Sequence, residues 1–422
     1  MTGDVALLLR RVGFGPTAAE LTSARQAGYQ ATVSTVLAPT GPDIGATSAP
    51  VPDLGSDPYA EWSNPSDDQR READQRRQAQ LERLSRWWLD RMAVARHQAV
   101  EKLIFFWHGH WATAVTKVKS PQLMLTQHQT IRAARDIADL SRRMVRDPAL
   151  VHWLDGQLNT REAPNENLAR ELFELFLLGI GQYTEADVKQ AGRALTGWRI
   201  DLAARTTAFD PPRHDGGDKT ILGVTGPFGA AGLVDLLLSR PACPRFVASR
   251  LWFRYASSQE PVPEATRERM ADAFPDPMAM LGALFTDEAF TATRGSLVKQ
   301  PIEWFVGGLR QLGVRPAAIP PDMLPEILNG LSGLGQRPFN PPSVGGWPAG
   351  AAWLTSAAAQ VRLSLAGKMV SLIEPGPLSP ADVAYLLCVD GWTDRTYAVL
   401  RDVRNARMLL TLGLASPEYL VT

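Results

Sequence analysis

Apolar positions along this chain recur at intervals of three and four far more often than they alternate, and that spacing predicts helices. The clearest case runs from Pro164 to Gly179. Leu168, Leu172, Leu175 and Phe176 fall on one side of a helix drawn through it, and Asn167, Glu171 and Glu174 stack on the other. Asn165 is placed to cap the first turn, Glu166 adds negative charge where the helix dipole favours it, and Gly179 and Gly181 stand where a helix would stop. Near the start, Leu7 to Arg11 predicts a short helix, broken by Gly13-Phe14-Gly15-Pro16. Thr17-Ala18-Ala19-Glu20 reads as a capping box that opens the next one. Residues 67–82 are dense in Arg, Asp, Glu and Gln, the mark of a solvated helix face, and the apolar side begins at Leu84. From Val100 the chain turns strongly apolar, and His108-Gly109-His110-Trp111 ends that helix. Residues 123–144 read as one long helix ended by Asp147-Pro148. Thr184-Glu185-Ala186-Asp187 caps another that runs through Arg193 to Trp198.

Three stretches break the helical pattern. Residues 39–65, rich in Pro, Gly, Ser and Asp, read as an irregular connection with the composition of a mobile segment. Residues 209–228 are turn-rich and predict an ordered loop or a small hairpin. Residues 335–348 hold too much Pro and Gly for regular structure. No repeat and no strand-rich region stands out. The expected fold is mostly α: a single large multi-helix domain over residues 1–422, with two ordered Pro/Gly-rich loops and a small hairpin.

Composition narrows the function classes. The 422 residues are 45% hydrophobic and 21% charged with a formal net charge of +0, enough apolar material for a large core. A neutral balance argues against nucleic acid as a partner. The only cysteines, Cys243 and Cys388, are far apart, so neither a disulfide framework nor a cysteine zinc site is expected. No apolar run is long enough to span a bilayer, and the first residues lack a signal-peptide pattern. The chain as given is expected to be soluble and cytoplasmic, unless a partner carries it out or a leader has been removed.

Candidate chemistry concentrates in a few segments. His108, His110, Glu166, Glu171 and Glu174 supply the imidazoles and carboxylates that bind iron, zinc or manganese. Two-residue spacing makes the histidines diverge on a regular helix, so convergence needs a helix end at Gly109; the competing reading is two structural histidines. His214 and Asp215 are candidates for an acid–base pair, with Glu171 and Arg193 as further catalytic candidates. Against this, adjacent side chains seldom point the same way. Lys219 and Arg193 suit an anionic substrate, or salt bridges to the carboxylates of the central helix. Asn340 and Trp347 would present a substrate-binding platform; the alternative is a rigid plug with Trp347 in the core. There is no Walker loop, dinucleotide fingerprint, Gly-x-Ser-x-Gly elbow or His-Glu-x-x-His helix, so no nucleotide cofactor is indicated. The expectation is an enzyme with a His/carboxylate pocket and a divalent metal, acting on a small or saccharide-like molecule. Oxidation or hydroxylation stands ahead of hydrolysis. The alternative is a non-catalytic binding or assembly protein that acts with a partner.

Several motifs occur in one recognisable order. They are Phe105 to Trp111, Pro164 to Phe176, Arg193-Ala194-Leu195-Thr196-Gly197-Trp198, His214-Asp215, Lys219-Thr220, Lys299-Gln300-Pro301-Ile302-Glu303 and the 335–348 loop. From Leu7 to near Glu418 the chain resembles the bacterial family catalogued as domain of unknown function 1800 (DUF1800). The resemblance implies no particular activity. It does imply that many relatives are exported and are encoded beside a protein resembling sulfatases, a possible partner. Leu7 stands where relatives often carry histidine.

Overall fold

The computed structural model describes residues 4–62 and 64–422. Met1 to Gly3, on which the signal-peptide expectation partly rests, and Ser63, within the irregular connection, lie outside the described residues. The fold is built on the helix Gln98–His110. Its apolar residues leave no polar face to solvent, and every position from Glu101 to His110 is buried. Leu103, Ile104, Phe106 and Trp107 face one core, shared with Phe173, Phe176, Leu251 and Leu281. Phe105 faces a second, shared with Trp88, Trp304, Leu365 and Leu410. Because one buried helix serves both cores, the two halves form one domain. The charges this helix carries inward are paired, as buried charges must be. Glu101 lies between Arg91, at 3.0 Å, and Arg132, and Lys102 meets Glu303 at 2.7 Å.

Helix is 60% of the chain, so the mostly α expectation holds. Local signals place the first helices well. Val5–Val12 forms as expected, and both bonds of the Thr17–Glu20 capping box are present. The charged run opens a 28-residue helix, Asp67–Val94. Residues 39–65 are largely irregular but tied down: Asp43 accepts from the Arg96 and His97 amides, and Gln80 donates to the Leu54 carbonyl. Among the described residues no helix is long and apolar enough to cross a membrane.

Three element boundaries differ from expectation. The helix read over 123–144 is two, Pro121–Ala133 and Ile137–Met144, because Asp136 caps the second through the Asp139 amide at 2.7 Å. Asp147 begins a helix, Pro148–Trp153, instead of only ending one. The helix read through Trp198 stops at Ala194. Gly197, at φ +94°, turns the chain into a hairpin, Trp198–Asp201 against Thr206–Phe209. A second hairpin, Lys219–Ile221 against Val224–Gly226, lies inside the predicted turn-rich stretch.

Candidate functional site

The central segment starts as read. Asn165 Oδ1 accepts from the Asn167 amide at 2.9 Å, and the Asn165 amide donates to Asn159 at 2.8 Å. A regular helix follows only over Asn167–Glu171; Leu172–Leu177 then winds as a π turn. The Leu178 amide reaches the Phe173 carbonyl five residues back at 3.1 Å. Such turns are uncommon and concentrate at functional sites. Two contacts hold this one in place. His110 Nε2–H donates to the Phe176 carbonyl at 2.9 Å, and Gly179, at φ +87°, lets Phe246 approach to where a Cβ would meet its ring at 2.9 Å.

The π turn forms one wall of a cleft of about 970 Å³. Glu174 stands on that wall, and its Oε2 accepts from the Tyr183 hydroxyl at 2.9 Å. Burial and this bond push the Tyr183 hydroxyl up to about 12, so it stays a donor. Burial, then the charge of Glu174, raises the neighbouring Glu171 carboxyl above its usual range. The facing wall is cationic. Arg245 and Arg250 come from the helix Ala242–Tyr255, and Arg240 and Arg267 flank it. Arg245 pairs with Glu268 at 2.9 Å, and Arg267 with Glu264 and Glu268. Arg240 donates to the Leu222 carbonyl at 3.1 Å. Among the described residues neither Arg240 nor Arg250 has a carboxylate within 4.0 Å. The Nε of each is enclosed and unbonded. Burial weakens the hold of Arg250 on its proton. Leu222, on the rim, sits at φ +49°, a strained conformation for a bulky side chain.

Of the residues expected to carry chemistry, Glu174 lines this cleft, and His110 lies behind it, close enough to Arg250 to feel its charge. The proposed metal set does not converge. The helix continues through Gly109, so the two histidines point into opposite cores: His108 against Trp88 at 4.7 Å between ring centres, His110 against Phe106 and Phe176. Glu166 pairs with Arg170 at 3.2 Å. Arg170 turns to Glu185 at 2.7 Å instead of to Glu174. Among the described residues no three His, Cys, Asp or Glu side chains are grouped to hold a metal ion. The residues named for that role therefore do not fit one.

The other candidates form a structural knot. Arg193 grips Asp215 through two bonds, 2.6 and 3.0 Å. These bonds, with the charge of Arg193 behind them, hold the Asp215 carboxyl below the usual range. His214 Nδ1–H donates to the Thr196 carbonyl at 2.9 Å, away from Asp215. Lys219 is buried, with its ammonium on the carbonyls of Asp215 and Gly217. The charged neighbours of Glu171 are Glu174 and Arg170, not this group. His214, Asp215 and Arg193 come together, but as partners of the hairpins and not as a dyad with Glu171. Trp347 is a plug: it is buried, stacks on Phe105 at 5.7 Å between ring centres and rests on Gly109. Asn340 opens onto a different cleft.

The four cleft arginines went unread. A signal was present: Ala242–Tyr255 carries Arg245, Arg250 and Arg254 with no acid among its 14 residues. No curated protein and no solved structure matches this chain. Residues 7–421 match the family model described as "Protein of unknown function (DUF1800)", and with the whole of the motif series inside that span the chain belongs to this family.

Proposed function

We propose that the protein binds a small anionic molecule in the cleft beside the π turn. One observation carries this reading: Arg240 and Arg250 line the cleft with enclosed Nε groups and, among the described residues, no carboxylate within 4.0 Å. Both guanidinium groups are half-buried with the Nε enclosed, and Asp187 gives Arg240 only a charge beyond ion-pair range, so an anion with two acceptor oxygens would complete their pairing. The volume, about 970 Å³, suits a small molecule. The reading assigns no metal to this cleft, because His108 and His110 point into different cores and Glu166 and Glu174 are taken by Arg170 and Tyr183.

A second reading makes the same cleft catalytic. It is favoured by Glu174, which faces the arginines without pairing to them and is held by Tyr183. There it would serve as acid or base toward a molecule the arginines hold. The anion binding that both readings share meets one test. Titration calorimetry against phosphate, sulfate, malonate and citrate should find at least one saturable ligand. Arg250→Gln should weaken it by about tenfold or more, roughly 1.4 kcal/mol. Glu174→Gln should keep or tighten binding. Equal affinity in wild type and Arg250→Gln would refute the reading.

A further inference from the structure

The second cleft lies on the other core and is lined by Tyr59, Asp74, Arg77, Gln78, Arg337 and Asn340, among others, with a volume of about 510 Å³. Arg337 and Asn340 belong to a tight turn within the 335–348 loop. The Asn340 amide donates to the Arg337 carbonyl at 3.2 Å, and Phe339 between them takes φ +61°. That strained conformation is fixed from two sides. The Phe339 ring is buried against Trp88 and His108, at 4.8 and 5.2 Å between ring centres, and its carbonyl accepts from the Val115 amide at 3.0 Å. With Phe339 locked into the core, Arg337 and Asn340 are presented to the cleft. Lys119, which also lines the cleft, is left-handed too, at φ +55°. Strained residues gathered at one cleft point to function more than to packing.

The polar groups divide sharply. Arg77 already pairs with Asp57 at 2.7 Å and covers the Tyr59 ring at 4.0 Å. Asp74 accepts from the Tyr59 hydroxyl at 2.8 Å. Arg337 makes no ion pair among the described residues, and its Nε is enclosed and unbonded. Asn340 Oδ1 is an enclosed acceptor with no donor among the described residues. Burial also loosens the hold of Arg337 on its proton, and the charge of Glu82, beyond ion-pair range, offsets this only in part. A ligand that satisfies both groups must present an anionic acceptor to one and a hydroxyl donor to the other, three residues apart.

We propose that this cleft is a second ligand site that takes a polyhydroxylated carboxylic acid of monosaccharide size, with the carboxylate on Arg337 and a hydroxyl on Asn340. The site is independent of the arginine cleft beside the π turn. Galacturonate, galactose and acetate serve as probes in saturation-transfer NMR and calorimetry on the whole chain. Galacturonate should bind saturably, and galactose and acetate each at least tenfold more weakly. Arg337→Gln should lose at least tenfold for galacturonate, Arg337→Lys somewhat less, since lysine keeps the charge but not the fork. Asn340→Ala should weaken galacturonate but leave acetate unchanged. Arg250→Gln should leave galacturonate binding unaltered. Thermal melts of each variant confirm that it is folded, and Asn340→Ser stands in if Asn340→Ala is not. The proposal is overturned if wild type shows no saturable galacturonate binding, if folded Arg337→Gln binds it as wild type does, or if Arg250→Gln is the variant that loses it.

Discussion

His108, His110 and His128 are three of the six histidines, all buried within the helical cores. Burial drives His108 and His110 from 6.5 down to about 3, and His128 well below its usual value. They fold as neutral rings, whereas the unfolded chain takes up a proton at each below about 6.5. Their contribution is therefore complete above that pH and is lost as pH falls toward about 3. Each such group removes about 1.4 kcal/mol per pH unit across the window. Asp147 opposes them. Burial lifts its carboxyl from 3.8 to about 7, so its contribution is complete below 3.8 and is lost as pH rises through 7. Three histidines against one aspartate leave a net loss on acidification. The urea midpoint should fall from about pH 6 to about pH 4, and less steeply in His110→Gln, which keeps a donor for the Phe176 carbonyl. An unchanged slope in that variant would mean His110 is charged in the folded protein.

The 335–348 loop shows why an element that looks irregular is nonetheless specified. Gly346 takes φ +84°, and a Cβ there would lie 2.2 Å from the Gly109 carbonyl. Gly109 in turn leaves room for Trp347, with a Cβ 3.4 Å from its ring. The His-Gly-His motif is thus explained at its middle residue: the helix carries a glycine where the loop seats on it. Gly346→Ala should cost at least about 2 kcal/mol by denaturant unfolding, because neither backbone can yield without moving the core. Gly345→Ala, whose added Cβ would find only Ser343 Oγ at 3.6 Å, should change stability little. Equal effects would mean that the loop does not sit on Gly109. The π turn was not legible in the same way. Leu168, Leu172 and Phe176 satisfy a regular helix in sequence. The extra residue becomes visible only once His110 and Phe246 press on it from other elements.

At the scale of the molecule, fold class was readable because helical periodicity and capping boxes act within a few residues. Thr17 with Glu20 and Thr184 with Asp187 form their boxes as the spacing requires. What escaped reading depends on distant partners. The break between Ala133 and Ile137 contains no glycine or proline, and the strand Trp198–Asp201 is only four residues long. The carboxylate strip on the central helix suggested a metal centre. Arg170, Glu185 and Tyr183 divide it among themselves instead. Its one member on a cleft, Glu174, faces Arg245 and Arg250, which the acid-free helix Ala242–Tyr255 advertised, and Arg240 and Arg267, which no local pattern links to them. Ligand binding there should stabilise the fold, by about 2.7 kcal/mol at a hundredfold excess over Kd.

The central claim is that the cleft beside the π turn holds an anion on Arg250 and Arg240. A crystal soaked in selenate, measured at the selenium edge, locates a heavy anion directly. The account predicts an anomalous peak within hydrogen-bond distance of Arg250 and Arg240 and its loss in Arg250→Gln crystals. Selenate bound elsewhere, with that cleft clear of any peak, would contradict it.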